Sequence, residues 1–100
     1  MTVRKADLPL KKISEICRTY QVRELSVFGS YLREDFGPGS DIDLLVEFAA
    51  DAEIGFLSLS RMSRELSGAL NLPVDLVPKS GLKPKIRDEV LSGRTVLYAA

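Results

Sequence analysis

The sequence predicts an α+β (mixed α/β) domain, a small mixed β-sheet with helices packed on it. Three observations lead there. Helical and strand periodicities follow one another as helix, strand, strand, helix, strand, helix, strand, an order too irregular for a doubly wound parallel sheet. At 100 residues the chain can bury a real but small core. Its composition, 45% hydrophobic and 28% charged, is that of an ordinary globular fold. No repeat, linker or low-complexity tract divides it, so residues 1–100 are expected to form a single domain.

Each element has its own signal. Leu10, Ile13, Ile16, Cys17 and Tyr20 fall at helical spacing with Lys and Arg between them, and Asp7 before Pro9 can start a helix over residues 8–20. Cys17 then reads as a small core hydrophobe. Residues 22–29 form a strand through Val22, Leu25, Val27 and Phe28. Gly37-Pro38-Gly39 makes residues 36–40 a loop. Residues 41–48 form the clearest strand, with Ile42, Leu44 and Val46 on one face and Asp41, Asp43, Leu45 and Glu47 on the other. After a polar break from Asp51 to Gly55, the spacing of Phe56, Leu59, Met62 and Leu66 predicts a helix ending near Asn71. Pro73 opens a short strand, Val74–Val77, which Lys79-Ser80-Gly81 breaks. Residues 84–91 form a helix facing inward through Ile86, Val90 and Leu91 and stopped by Gly93. Thr95–Tyr98 is a final strand at a sheet edge.

Composition removes several chemistries. Lys plus Arg and Asp plus Glu each number 14, so no general electrostatic pull toward nucleic acid or membrane exists, and direct nucleic-acid binding is not expected. There is no histidine and one cysteine, which rules out Ser-His and Cys-His nucleophiles, nearly all zinc sites and an internal disulfide. A metal here must be held by oxygen, which points to magnesium, manganese or calcium. No run spans a membrane and no signal peptide is apparent, so a cytoplasmic protein is expected.

The informative stretch runs from Gly29-Ser30 to Asp41-Ile42-Asp43. Residues two apart on a strand point the same way, about 6.6 Å from each other. Asp41 and Asp43 therefore present two carboxylates side by side, which repel unless a cation lies between them. One divalent ion relieves this, and two can clamp the attacking and leaving oxygens of a phosphoryl transfer. Asp75 interrupts an apolar strand and supplies a third carboxylate if that strand lies beside the second. Gly29 allows close approach of a ligand to the backbone. A helix starting after Ser30 would offer free N–H groups and a hydroxyl to phosphate, with Arg33 a turn further as a charged donor. Taken singly these features are bland: a turn, a solvated strand face, a polar strand residue, an exposed arginine. Their order and spacing together make the case. Asp35-Phe36-Gly37 spells a kinase triplet, but the chain lacks the other kinase motifs, and its acidic segment lacks the residue order of a calcium loop.

Gly29-Ser30, ten residues, then Asp41-x-Asp43, set within Ser26–Ser30 and Ser40–Val46, resembles the signature of the DNA polymerase β-like nucleotidyltransferase superfamily. Within it the chain is similar to the minimal nucleotidyltransferases, antitoxin partners of HEPN-domain toxins, and the resemblance covers nearly its whole length. It implies the polymerase β-like palm fold. It also implies that Gly29, Ser30 and Arg33 bind the nucleotide, and that Asp41, Asp43 and Asp75 are the catalytic carboxylates holding two magnesium ions, with manganese possible. The implied activity is transfer of AMP from ATP to a hydroxyl, a tyrosine of the HEPN toxin, with release of pyrophosphate. Two other readings stay open: an antitoxin that neutralises its partner by binding alone, and a small-molecule nucleotidyltransferase of the antibiotic-modifying type. With most of the chain used to build the site, the acceptor must dock from outside, as a hetero-oligomer with the toxin or at a homo-oligomer interface. Residues 55–59 and 95–100 are the candidate contact segments, unless they merely complete the core.

Overall fold

The structure is a computed structural model and describes residues 8–28 and 41–100, with backbone alone at 86 and 87. The elements in order are α1 (Leu10–Thr19), β1 (Val22–Phe28), β2 (Ile42–Phe48), α2 (Phe56–Leu70), β3 (Val74–Pro78), a 3-10 turn (Lys79–Gly81), α3 (Pro84–Gly93) and β4 (Thr95–Ala99). The strands form one mixed sheet in the order β3-β2-β1-β4. β1 pairs antiparallel with both β2 and β4, while β2 and β3 are parallel and joined through α2. The expected element order and the edge position of β4 are both seen. Asp7 and the loop at 36–40 lie outside the described residues.

The core lies between one face of the sheet and the helices α1 and α2. Ile13, Ile16 and Cys17 of α1 meet Met62, Leu66 and Leu70 of α2 over Leu25, Val27, Ile42, Leu44, Val46 and Leu97. The two helices are tied at their flanks by the Tyr20 hydroxyl, which donates to Glu65 Oε2. Burial first, and then the Glu65 carboxylate, raise the Tyr20 pKa above its ordinary value. Asn71 ends α2 in the left-handed conformation (φ 57°), a standard helix stop because its short side chain tolerates that region. Ser67 fastens the exit by donating its hydroxyl to the Leu72 carbonyl at 2.6 Å.

Two expectations change. Phe56, assigned by its spacing to the buried face of α2, is 80% exposed. The reason is length. Fifteen helical residues span about 22 Å, whereas the five residues of β3, the strand α2 packs against, span about 17 Å. The first turn of α2 therefore extends past the end of β3. Conversely, the C-terminal strand completes the sheet: Leu97 is buried in the core and β4 pairs along β1, so the tail is accounted for by folding. In α3, Val90 and Leu91 are half-buried, Gly93 is the last helical residue, and the side chain of Ile86 lies outside the described set.

Cys17 is fully buried, and burial pushes its thiol up to about 12 from an ordinary 9.0. In the unfolded chain the thiol ionises near 9, so between about 9 and about 12 the unfolded state holds one proton fewer than the folded state. Stability should be fully present below pH 9 and fall as pH rises through that window. Urea midpoints measured at pH 7.5 and pH 10.5 should separate more for the wild type than for Cys17→Ala, and the Cys17 thiol should resist Ellman's reagent until the protein unfolds.

Candidate active site

The core dictates where the acids stand. Ile42, Leu44 and Val46 are buried to within 1% on the helix side of β2. Alternation then turns Asp43, Leu45 and Glu47 to the other face, with Asp41 just before the strand on the same side. A one-residue slip would drive Asp43 into the core and expose the isoleucine and leucine beside it, so the register is strongly specified.

β3 lies directly beside β2, and its register pairs Ile42 with Val74, Asp43 with Asp75 and Leu44 with Leu76. The Ile42 amide donates to the Pro73 carbonyl at 2.9 Å, fixing the starts of the two strands together. Asp43 and Asp75 are thus neighbours on adjacent strands, which run 4.7–4.9 Å apart in such a ladder, and their side chains emerge on one face. On the other side of β2, Asp43 is the register partner of Phe28, the last residue of β1. Asp41 and Asp75 are exposed and Asp43 is half-buried. Asp41 and Asp43 also have polar partners of their own. The structure therefore gathers all three expected carboxylates at one end of the sheet. Gly29, Ser30 and Arg33 lie outside the described residues.

The donors suit a hard cation. They are carboxylate oxygens only, on a rigid strand pair, and two of them are directly opposed like charges. Among the described residues no three His, Cys, Asp or Glu side chains come close enough to form a metal cage by themselves. Magnesium does not need one, because it is usually held by one or two carboxylates, waters and the phosphates of a substrate. Asp41, Asp43 and Asp75 are the residues that would hold it here.

Further down the same face the structure adds a row that the sequence reading did not anticipate. Glu24 and Glu47 are directly opposed across β1 and β2. Each carboxylate has its own cation: Arg94 Nη2 lies 3.2 Å from Glu24 Oε1, and Lys79 Nζ lies 3.4 Å from Glu47 Oε1. At about a quarter exposed, such pairs contribute roughly 0–1 kcal/mol each; their effect is to relieve a repulsion. Between the acids and this row, Leu45 and Ser26 are buried on the face away from the main core. The only sequence signal for the row was one glutamate in each of two strands; its cations come from residues 32 and 70 positions away.

Residues 10–97 match the model of the nucleotidyltransferase domain. The chain is 40% identical over 84 residues to the protein adenylyltransferase MntA of Thermococcus cleftensis, covering 84% of this chain and 81% of that one. The crystal structure of a toxin–antitoxin with AMP-PNP superposes with a TM-score of 0.75 at 26% identity, over 93% of this chain and 75% of that one. The complex of a tri-AMPylated HEPN toxin of Shewanella oneidensis with its MNT antitoxin gives 0.67 at 26% identity, over 91% and 70% of the two chains. The α+β architecture expected from the sequence is the one these structures share. The chain belongs to the nucleotidyltransferase domain family, on the match over residues 10–97.

Removing a like charge from a sheet face relieves roughly 0.2–1 kcal/mol. Asp75→Asn should therefore melt at the same temperature as the wild type or slightly higher without divalent metal, while losing most of the stabilisation that magnesium and ATP together confer. Thermal shifts with and without the two ligands measure both.

Proposed function

We propose that this protein is an ATP-dependent protein adenylyltransferase of the minimal nucleotidyltransferase type, and that it acts as an antitoxin by modifying a hydroxyl, a tyrosine's, on a HEPN-domain toxin. The observation that carries the reading is the register of β2 against β3, which sets Asp75 beside Asp43 and Asp41 on one open face. It is supported by relatives named for this transfer and by a related antitoxin seen with its AMPylated toxin. The chain works as a single domain over residues 1–100, in the cytoplasm.

The site divides the reaction among its own residues. Gly29, Ser30 and Arg33 hold the triphosphate. Asp41 and Asp43, fixed by the buried half of β2, set the position of the α-phosphorus. Asp75 orients the acceptor hydroxyl and takes its proton as the oxygen attacks. The acceptor oxygen–phosphorus bond forms, the bond from the α-phosphorus to the bridging oxygen breaks, and pyrophosphate leaves with that electron pair. Two magnesium ions, or manganese, bound by the three aspartates would supply charge neutralisation of the phosphates and of the attacking oxygen. No helix among the described residues is long and apolar enough to cross a membrane.

Incubation with ATP labelled on the α-phosphate, magnesium and a HEPN-domain toxin should label that toxin on tyrosine. Chelation of divalent metal should stop labelling, and Asp41→Ala should slow it by roughly 10²–10⁴-fold. If Asp41→Ala protects cells from the toxin as well as wild type does and no label transfers, neutralisation is by binding and the transfer reading falls.

A further inference from the structure

Arg94 is rooted beside the aspartates, but its side chain runs down the sheet away from them. It follows the last turn of α3 in an extended conformation (φ −82°, ψ 154°) and leads directly into β4. Thr95, the next residue, is the register partner of Val27. One step back along that ladder brings Arg94 level with Phe28, and Phe28 pairs with Asp43 across β1 and β2. The backbone of Arg94 therefore stands at the acid end. Its side chain lies on the aspartate face, because its Nη2 meets Glu24 Oε1 there at 3.2 Å. Glu24 is four residues down β1 from Phe28, a drop of roughly 13 Å. Asp43 is two ladder steps across the sheet, roughly 9–10 Å. The step to the aspartates is the shorter of the two.

We infer that Arg94 is a further catalytic residue, which exchanges Glu24 for the pyrophosphate portion of bound nucleotide and holds it as the leaving group. The inference rests on the transfer reading given above. Three observations carry it. The first is sidedness. Asp75 comes from β3, on one side of Asp43, and Arg94 precedes β4, on the other. In an in-line displacement the attacking and leaving oxygens lie on opposite sides of the phosphorus. With the acceptor hydroxyl at Asp75, the leaving group departs toward β1 and β4, where Arg94 stands. The second is that the exchange costs little. The pair with Glu24 is about a quarter exposed, a weak class of ion pair. A guanidinium on phosphate oxygens makes paired charge-assisted bonds in its fixed fork geometry. The third is a contrast within the same row. Lys79 pairs with Glu47 in a similar way, but it follows Pro78, the partner of Val46, so it is rooted at the far end of β2. As the bond from the α-phosphorus to the bridging oxygen breaks, its electron pair goes to pyrophosphate, and the guanidinium offsets the charge gathering there. No proton moves in this contact, since arginine stays charged throughout.

The test uses the full chain and two readouts, AMP transfer from ATP to a HEPN-domain toxin and calorimetric titration with pyrophosphate in the presence of magnesium. Arg94→Gln should lower kcat for transfer by roughly 10²–10³-fold and raise the Kd for pyrophosphate by about tenfold or more. Lys79→Gln breaks the sister ion pair and should change neither quantity. Glu24→Gln breaks the same pair as Arg94→Gln but releases the guanidinium, so it should keep kcat and bind pyrophosphate as tightly as the wild type or more so. Should Arg94→Gln melt lower, Glu24→Gln measures how much of its loss comes from the fold. If Glu24→Gln loses as much as Arg94→Gln in both readouts, the pair acts through the fold alone and the inference is overturned. An unchanged pyrophosphate Kd in Arg94→Gln overturns it too, as does a wild type that binds no pyrophosphate. If the Kd rises in Arg94→Gln and not in Glu24→Gln, yet the wild type transfers no label, the phosphate contact stands and the transfer reading is what fails.

Discussion

Strand β2 is held from three directions, and the rest of the molecule follows from that. Its helix-side residues are sealed in the core, β1 grips it antiparallel on one side, and β3 lies parallel on the other. None of these can shift without breaking the others. A slide of β2 would exchange its buried and open faces, and a slide of β3 would part Asp43 from Asp75. Two like charges can be kept adjacent on a solvated face because the opposite face is anchored by Ile42, Leu44 and Val46. In this domain the stability of the hydrophobic core and the geometry of the acids are one constraint, seen from the two sides of a single strand.

The open face then separates into zones by charge. At the start of β2 and β3 Asp43 and Asp75 stand side by side with Asp41 next to them, and at the far end Glu24 and Glu47 are each matched by a cation from a distant part of the chain. The matched row closes the sheet's lower half over Leu45 and Ser26, and the acid end sets Asp75 beside Asp43.

Much of this was legible in the residues. The period-two pattern from Asp41 to Phe48 fixed both the strand and the side its acids face, because apolar and acidic residues alternate there without exception until Leu45. Asp75 was legible for a similar reason, as a charge inside a short apolar strand bounded by prolines. What could not be read was strand order, since nothing local in Val74–Pro78 says which strand it will join. Phe56 misled because periodicity reports which way a side chain points and is silent on whether anything lies below it; only the relative lengths of α2 and β3 decide that. The cations for Glu24 and Glu47 escaped notice because tertiary folding brings them from far along the chain. The nucleotide-binding assignments to Gly29, Ser30 and Arg33 rest on motif resemblance, as those positions fall outside the described residues.

The prolines around β3 have one more consequence. β3 is an edge strand that begins just after Pro73 and ends on Pro78. Pro73 turns its carbonyl inward to the Ile42 amide, and Pro78, whose position faces outward, has no amide hydrogen to donate, so the rim is left with the outward-facing groups of Val74 and Leu76 and ends there. An exposed parallel edge rich in valine and leucine would otherwise invite a second sheet to stack alongside and propagate. The strand that brings the third carboxylate to the site is thereby shielded from self-association, and its acid remains accessible in a crowded solution.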